Sequence, residues 1–264
     1  MSSLIQTPTA VDDILKELSL KYSEYSILQT SVDHVIIPRP EVEQFISGIL
    51  PPAPKVTVRK PLWWHLTPKL KHLARTTTNK ALANDLNHLL RDSQLYLAMV
   101  ACSFQPEIDC QINYARLSCY LRPQLGASNP TVLDVYPHEV KNTDFVNLPQ
   151  KIILTNELIF STSNVQGDGL FIIESKNINP LIKSNHHTET SPYWEYFSYE
   201  QKPIIDYRFG YMIIRKPLAV KAVRLTLDII ATVITPYGRY NAAVKEKDKP
   251  FLSQIICPEY IEIH

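Results

Sequence analysis

The chain has 264 residues, of which 45% are hydrophobic and 20% charged, and its formal net charge is +1 at pH 7. That composition supports a real apolar core and excludes the polar bias of a disordered chain. So even a charge supplies no global field toward nucleic acid or membrane, and any such partner must be met by a local patch.

Glycine is scarce, with 6 against 20 prolines. Phosphate-cradling loops need glycine so that the backbone can approach the ligand. Gly167-Asp168-Gly169 is the sole close pair, and no third glycine follows at Ile172. A dinucleotide fingerprint, a P-loop and a G-x-S-x-G nucleophile elbow are therefore excluded. The four cysteines, Cys102, Cys110, Cys119 and Cys257, fit no zinc signature. The first residues lack the basic flank and apolar run of a signal peptide, and no window is a spanning helix. These features predict a cytoplasmic protein with reduced thiols.

In chain order, Thr7-Pro8 opens a predicted helix whose apolar stripe is Ile14, Leu15, Leu18 and Tyr22. VDHVII, from Val32, has the pattern of a short strand. Pro40 opens a second helix, with Val42, Phe45, Ile46, Ile49 and Leu50 at the spacing of one buried face. Pro51-Pro52-Ala53-Pro54 stops it, because proline removes a donor and clashes with the preceding turn. The division expected is a helical segment over 1–50, a proline-rich linker and basic arm over 51–78, a helix within 79–105 and a β domain over 106–264.

The arm, KVTVRKPLWWHLTPKLKHLARTTTNK, carries Lys55, Arg59, Lys60, Lys69, Lys71, Arg75 and Lys80 and no acid, with Trp63 and Trp64 inside it. Tryptophan among lysines suits a membrane interface or single-stranded nucleic acid. It also suits core tryptophans with a solvated lysine rim. Trp63, Trp64, Lys60, Lys69, Lys71 and Arg75 are the candidate partner-binding residues. Residues 79–101 follow as a predicted helix through Leu82, Leu86, Leu89, Leu90, Leu97 and Val100.

From Ile108 the period changes to two. Ala115, Leu117, Cys119 and Leu121 alternate with Tyr114, Arg116, Ser118 and Tyr120, so Cys119 is expected inside. TVLDVYP is the second strand, and the two are expected as a pair. Ile152, Leu154, Leu158 and Phe160 align in a third, and Leu170 to Ile173 follows the Gly167-Asp168-Gly169 turn. PYWEYFSY, DYRFGYMIIR with Tyr207, Phe209, Tyr211 and Ile213 on one face, and the run Val223 to Val233 complete the set. No stretch between them is long enough for a crossover helix. The fold class is α+β: a helical N-terminal region, then an antiparallel β-sandwich of seven to eight strands.

Candidate chemistry is sparse. Asp85, His88 and Asp92 share a helix face, and His186-His187 with Glu189 lies in a loop, but neither has a metal site's spacing. Cys110 follows Glu107 and Asp109, and nearby carboxylates raise a thiol's pKa. Asp134 and Glu139 flank Pro137-His138 with nothing that selects them as an acid–base pair. No metal or cofactor is expected. The set Tyr114-Ala115-Arg116, Asp134 through Val140, Pro192 through Tyr196 and the Leu225–Val233 strand resembles a β-rich domain of uncharacterised bacterial proteins, over roughly 108–235. That resemblance implies a bacterial origin and a single β domain, and it transfers no activity, cofactor or catalytic residue. The expectation is a non-enzymatic adaptor, scaffold or regulatory module that binds another protein. Alternatives are a membrane-acting or pore-forming effector meeting an anionic membrane, and a hydrolase with a spatially assembled site. Nucleic acid ranks below these.

Overall fold

The structure is a computed structural model. It describes residues 32–35, 55–58, 60–106, 109–124, 128–138, 150–155, 158–162, 171–175, 182–185, 190–198, 202–236, 238–243 and 252–257. The predicted helices over 7–22 and 40–50 lie outside the described residues. The chain divides into two compact units. One comprises 32–146 and 179–264, and the other comprises 1–31 and 147–178.

The larger unit holds two antiparallel sheets. The first contains β1 (Val32–Val35), β2 (Lys55–Val58), β3 (Leu62–His65), β4 (Ser93–Gln105), β6 (Thr131–Tyr136) and β12 (Asp206–Pro217), in the order β1-β2-β4-β12-β6 with β3 also on β4. The second contains β5 (Gln111–Pro123), β10 (Ile182–Asn185), β11 (Tyr193–Phe197), β13 (Val223–Thr235), β14 (Gly238–Ala243) and β15 (Leu252–Ile256), in the order β10-β11-β5-β13-β14 with β15 also on β13. Each sheet thus has a long strand whose edge is shared by two short ones. Along β4, β3 takes Tyr96 to Met99 and β2 takes Cys102 to Gln105. Along β13, β15 takes Val223 to Leu227 and β14 takes Ile230 to Thr235.

The core lies between the sheets, and alternation explains who enters it. Tyr96, Ala98, Val100, Cys102 and Phe104 of β4 and Met212 and Ile214 of β12 come from one side. Ala115, Leu117, Cys119 and Leu121 of β5, Trp194 and Tyr196 of β11, and Val223, Leu225, Leu227, Ile229, Ala231 and Val233 of β13 come from the other. All four cysteines are buried and unbridged, and burial pushes the Cys102 thiol up to about 12. The predicted fold class holds: a β-rich α+β chain, with two helices and antiparallel sheets among the described residues.

Two helices cover the outer face of β4. They are α1 (Thr67–Thr76) and α2 (Lys80–Arg91), which bury Leu70, Ala74, Leu86 and Leu90. Pro68 stands in the first turn of α1, where its missing N–H costs nothing. Asn79 caps α2 by accepting from the Leu82 N–H at 3.2 Å, and Arg91 in the last turn complements the helix dipole. Thr67 ties α1 to the sheet, its hydroxyl accepting from the Leu95 N–H at 2.8 Å.

Two expectations are corrected. The predicted helix over 79–101 ends at Arg91, and Leu97 and Val100 belong to β4. Both faces of β4 are covered, one by the core and one by α1 and α2, so its apolar run shows no alternation and mimics a buried helix. β5 and β6 are not a pair: β5 bonds to β11 and β13, and β6 bonds to β12 in the other sheet. In β12 the core face is Gly210, Met212 and Ile214, and Phe209, Tyr211 and Ile213 share the other face, as expected.

The smaller unit contains a three-stranded antiparallel sheet, β8-β7-β9, made from β7 (Gln150–Leu154), β8 (Phe160–Thr162) and β9 (Phe171–Ser175). Its register puts Leu154, Phe160 and Phe171 in one row and Ile152, Thr162 and Ile173 two positions along.

Candidate interaction surface

The outer face of the second sheet follows from register. Leu117 pairs with Trp194 and Ile229, all buried, so the alternate rows face outward. One row runs Glu195–Arg116–Ile230. The neighbouring row runs Phe197–Tyr114–Thr232. On the other side Tyr193, Ser118 and Asp228 stand together.

These side chains are organised. The Arg116 guanidinium lies over the Tyr193 ring, with Cζ 3.8 Å from the centroid. The Tyr114 hydroxyl donates to Glu195 Oε1 at 2.7 Å, and the Tyr114 and Phe197 rings sit 5.4 Å apart. Burial, then the bond to Glu195, pushes the Tyr114 phenol up to about 12. Asp228 is held above the usual carboxylate range by burial, which the Ile229 N–H and Arg116 oppose. Arg116 Nε has no partner among the described residues. Ile230 and Ile234 on the same strand are exposed. The arrangement is an aromatic and cationic surface flanked by solvent-exposed aliphatic groups.

The seating of this surface depends on the core. Trp194, between Tyr193 and Glu195, is fully buried and lies against Gly210 of β12. A Cβ at position 210 would stand 2.7 Å from Trp194 Cε2, 2.8 Å from Cζ2 and 2.9 Å from Cδ2. Glycine opens the notch that admits the indole.

The structure divides the candidates of the basic arm. Trp63 and Trp64 are neighbours on β3, pairing with Ala98 and Leu97. Alternation therefore sends them to opposite faces. Trp63 packs against the core, with its ring 5.9 Å from that of Tyr96. Both tryptophans are half-buried. Lys60 is exposed ahead of β3, while Lys69, Lys71 and Arg75 are on α1, with Lys69 half-buried and Lys71 and Arg75 exposed. Burial lowers the Lys69 pKa.

Other candidates stand apart. Asp85, His88 and Asp92 are exposed on or just after α2, and among the described residues no three His, Cys, Asp or Glu come together to hold a metal. Cys110 is buried. His138 Nε2 lies 2.8 Å from the buried Asp134 Oδ1, and that bond raises the histidine's pKa against the opposing effect of burial. Glu139, His186, His187 and Glu189 lie outside the described residues. Sequence reasoning passed over the outer sheet face, although Tyr114, Arg116, Ser118 and Tyr120 are plain as the alternate set. What it lacked was the register that brings Tyr193, Glu195 and Ile230 beside them.

No family model matches the chain, and no curated protein matches it. Among solved structures it is similar to one titled a pore forming protein, at 10% identity over 62% of this chain and 78% of the other, with a TM-score of 0.34. It is also similar to the Clostridium perfringens NetB toxin in its membrane-inserted form, at 7% identity over 78% of this chain and 88% of the toxin, with a TM-score of 0.29. Both titles name pore-forming or membrane-inserted proteins, and neither names an adaptor. The expectations of a protein-binding adaptor or scaffold and of a cytoplasmic location are corrected on that finding; the expected likeness to a β-rich bacterial domain stands in its β-rich part, and its uncharacterised status is corrected.

Proposed function

We propose that the protein acts on lipid bilayers, binding them through its β structure and opening a pore. The observation that carries this reading is the outer face of the second sheet, where Tyr114, Arg116, Tyr193 and Phe197 stand beside the exposed Ile230 and Ile234. Tyrosine and arginine present an apolar body and a polar head, the composition favoured where hydrocarbon meets headgroup. A water-exposed sheet face gains nothing from its isoleucines, whereas a bilayer interface buries them.

A pore also needs strands of roughly 9–11 residues with one apolar face. Residues 150–162 meet that length, with Ile152, Leu154, Leu158 and Phe160 alternating with Lys151, Thr155, Glu157 and Ser161; Asn156 interrupts the apolar row, and Ile153 and Ile159 the polar one. In the folded chain this stretch is divided between β7 and β8, so membrane insertion requires it to re-pair as one longer strand. The half-buried Trp63–Trp64 strand and the cations Lys60, Lys69, Lys71 and Arg75 are proposed as a subsidiary contact with anionic lipid.

The test is vesicle flotation with dye release. The full chain is expected to float with liposomes and to release trapped dye, and Phe160→Asp is expected to float without release. Failure to float with vesicles of any composition refutes the reading.

A further inference from the structure

The outer face of the second sheet is framed at its middle by β11, β5 and β13. Glu195, Arg116 and Ile230 are direct cross-strand partners there. A guanidinium and a carboxylate placed opposite one another in a sheet ordinarily attract. Here each is drawn away from the other. Arg116 leans into the Tyr193 row, its Cζ 3.8 Å from that ring's centroid. Glu195 turns to the row on the other side, where its Oε1 accepts from the Tyr114 hydroxyl at 2.7 Å. The Tyr114 ring is in turn set against Phe197, with centroids 5.4 Å apart.

The result is a donor-only group and an acceptor-only group held apart on one row. Among the described residues no oxygen accepts from the Arg116 guanidinium, and its Nε is buried without a partner. The local charge favours neither sign of ligand. Glu195 is opposite Arg116, and the half-buried Asp228 in the next row is within electrostatic reach of it. An anion would meet two carboxylates, and a cation would meet the guanidinium. A hydroxyl both donates and accepts, so neighbouring hydroxyls on one neutral molecule satisfy Arg116 and Glu195 together. A sugar ring carries such hydroxyls, and its C–H face suits the electron-rich face of a tyrosine. Ile230, next along the row, is 39% exposed. A free sugar has nothing to cover it, whereas a sugar borne on a lipid brings a hydrocarbon boundary beside it.

We propose that this face binds the neutral sugar head group of a glycolipid, with sugar hydroxyls bridging the Arg116 guanidinium and the Glu195 carboxylate, a sugar ring over Tyr114, and Ile230 at the boundary between head groups and acyl chains. The inference rests on the membrane-acting reading above and adds the head group that the face selects. Tyr114 is a positioning residue as well as a platform. Its hydroxyl holds Glu195 away from Arg116, and without that bond the two side chains would pair and close the gap between them.

Flotation of the full chain with phosphatidylcholine vesicles, plain or carrying glucosyl-, galactosyl- or lactosylceramide in turn, tests it. The wild-type chain is expected to bind vesicles with at least one of these glycolipids about tenfold or more tightly than plain vesicles, as hydrogen bonds to charged groups allow. That preference is expected to survive high salt, where the screening length is about 3 Å at 1 M, because the head group carries no charge. Arg116→Met keeps the side-chain stem and removes the donors, and is expected to lose the preference. Tyr114→Phe keeps the ring and releases Glu195, and is expected to lose most of it. Ile230→Asn is expected to weaken binding to plain and glycolipid vesicles alike and so to leave their ratio unchanged. Circular-dichroism melts confirm that each variant is folded. Equal binding to plain and all three glycolipid vesicles overturns the sugar site and leaves the membrane reading in place, as does an unchanged preference in Arg116→Met. A preference for phosphatidylglycerol vesicles that salt abolishes overturns it in favour of an anionic surface. Free lactose bound as tightly as the lactosylceramide vesicles overturns the lipid as the source of the sugar. Binding to no vesicle overturns both readings.

Discussion

Gly210→Ala is the sharpest test of how the two sheets are joined. At an open strand position the change would stabilise by about 0.4–1 kcal/mol, because alanine restricts the unfolded chain. At this position the added methyl would lie 2.7–2.9 Å from three atoms of the Trp194 indole. Carbon atoms in contact prefer about 3.5–4.0 Å, so the ring or the strand must yield by most of an ångström. Trp194 has no free direction. It is fully buried, and its backbone is in the ladder with both β5 and β10. Overpacking of this kind costs about 1–3 kcal/mol, which exceeds the entropic gain. The expected result is a net loss of up to ~2 kcal/mol, read as a lower urea midpoint at unchanged slope and a fall in Tm of about 2–4 °C for each kcal/mol. Trp194→Phe removes the atoms that the methyl meets, so in that background Gly210→Ala should lose most of its cost, a coupling of about 1 kcal/mol or more. A Gly210→Ala protein as stable as wild type would refute the notch, and so would equal costs in the two backgrounds.

Leu90→Ala removes a buried side chain between α2 and β4 and is expected to cost about 2–5 kcal/mol by denaturant titration; a cost below about 1 kcal/mol would mean that the helix does not cover the sheet. Because the Tyr114 phenol is pushed up to about 12, the folded state holds that proton more tightly than the unfolded chain. Its contribution to stability is complete below pH 10 and is lost as the pH rises toward 12. Tyr114→Phe should therefore reduce the fall in stability between pH 10 and 12, and an identical pH profile for the two proteins would exclude the assignment. The His138 pKa is raised by its bond to Asp134, so that stabilisation is present below about 6.5 and is lost as the pH climbs through the folded value. Asp134→Asn should lower the imidazole midpoint in an NMR titration, and a midpoint that stays in place or rises would show that the bond is not its cause.

The strands with one solvated face were legible from sequence and those with two covered faces were not. β13 reads as Val223, Leu225, Leu227 inward and Arg224, Thr226, Asp228 outward, and it folds that way. β4 has no such signature, because Leu95 and Leu97 meet α1 and α2 while Tyr96 and Ala98 meet the second sheet. Its boundary with α2 falls at Asp92–Ser93, where the Ser93 hydroxyl donates to the Leu89 carbonyl and closes the last helical turn. In β12 the shared row of Phe209, Tyr211 and Ile213 was legible, but which row meets the core was not, because that is set by a glycine on the opposite row that admits a tryptophan from the other sheet. The basic arm was legible as a charge run. The more telling neighbours, Glu195, Arg116 and Ile230, come from separate strands and meet through a register that no local pattern encodes.

The same register constrains how a pore could form. β4, β5, β12 and β13 are each 12–13 residues long, enough to cross a bilayer, but each is bonded along both edges and supplies the core between the sheets. Releasing any of them exposes that core and leaves two rows of backbone groups without partners, which hydrocarbon does not tolerate. β7, β8 and β9 are different. They are 3–5 residues long, and they form a sheet of their own in the smaller unit. Re-pairing them breaks the ladders of that small sheet and none of those of the four long strands. The proposed pore is therefore expected to draw its membrane strands from β7, β8 and β9, while the four long strands stay paired. A disulfide locking β5 to β13 within the sandwich should leave dye release intact, and one locking β7 to β9 should abolish it. The opposite pattern would place the pore strands in the sandwich and sink this division of labour.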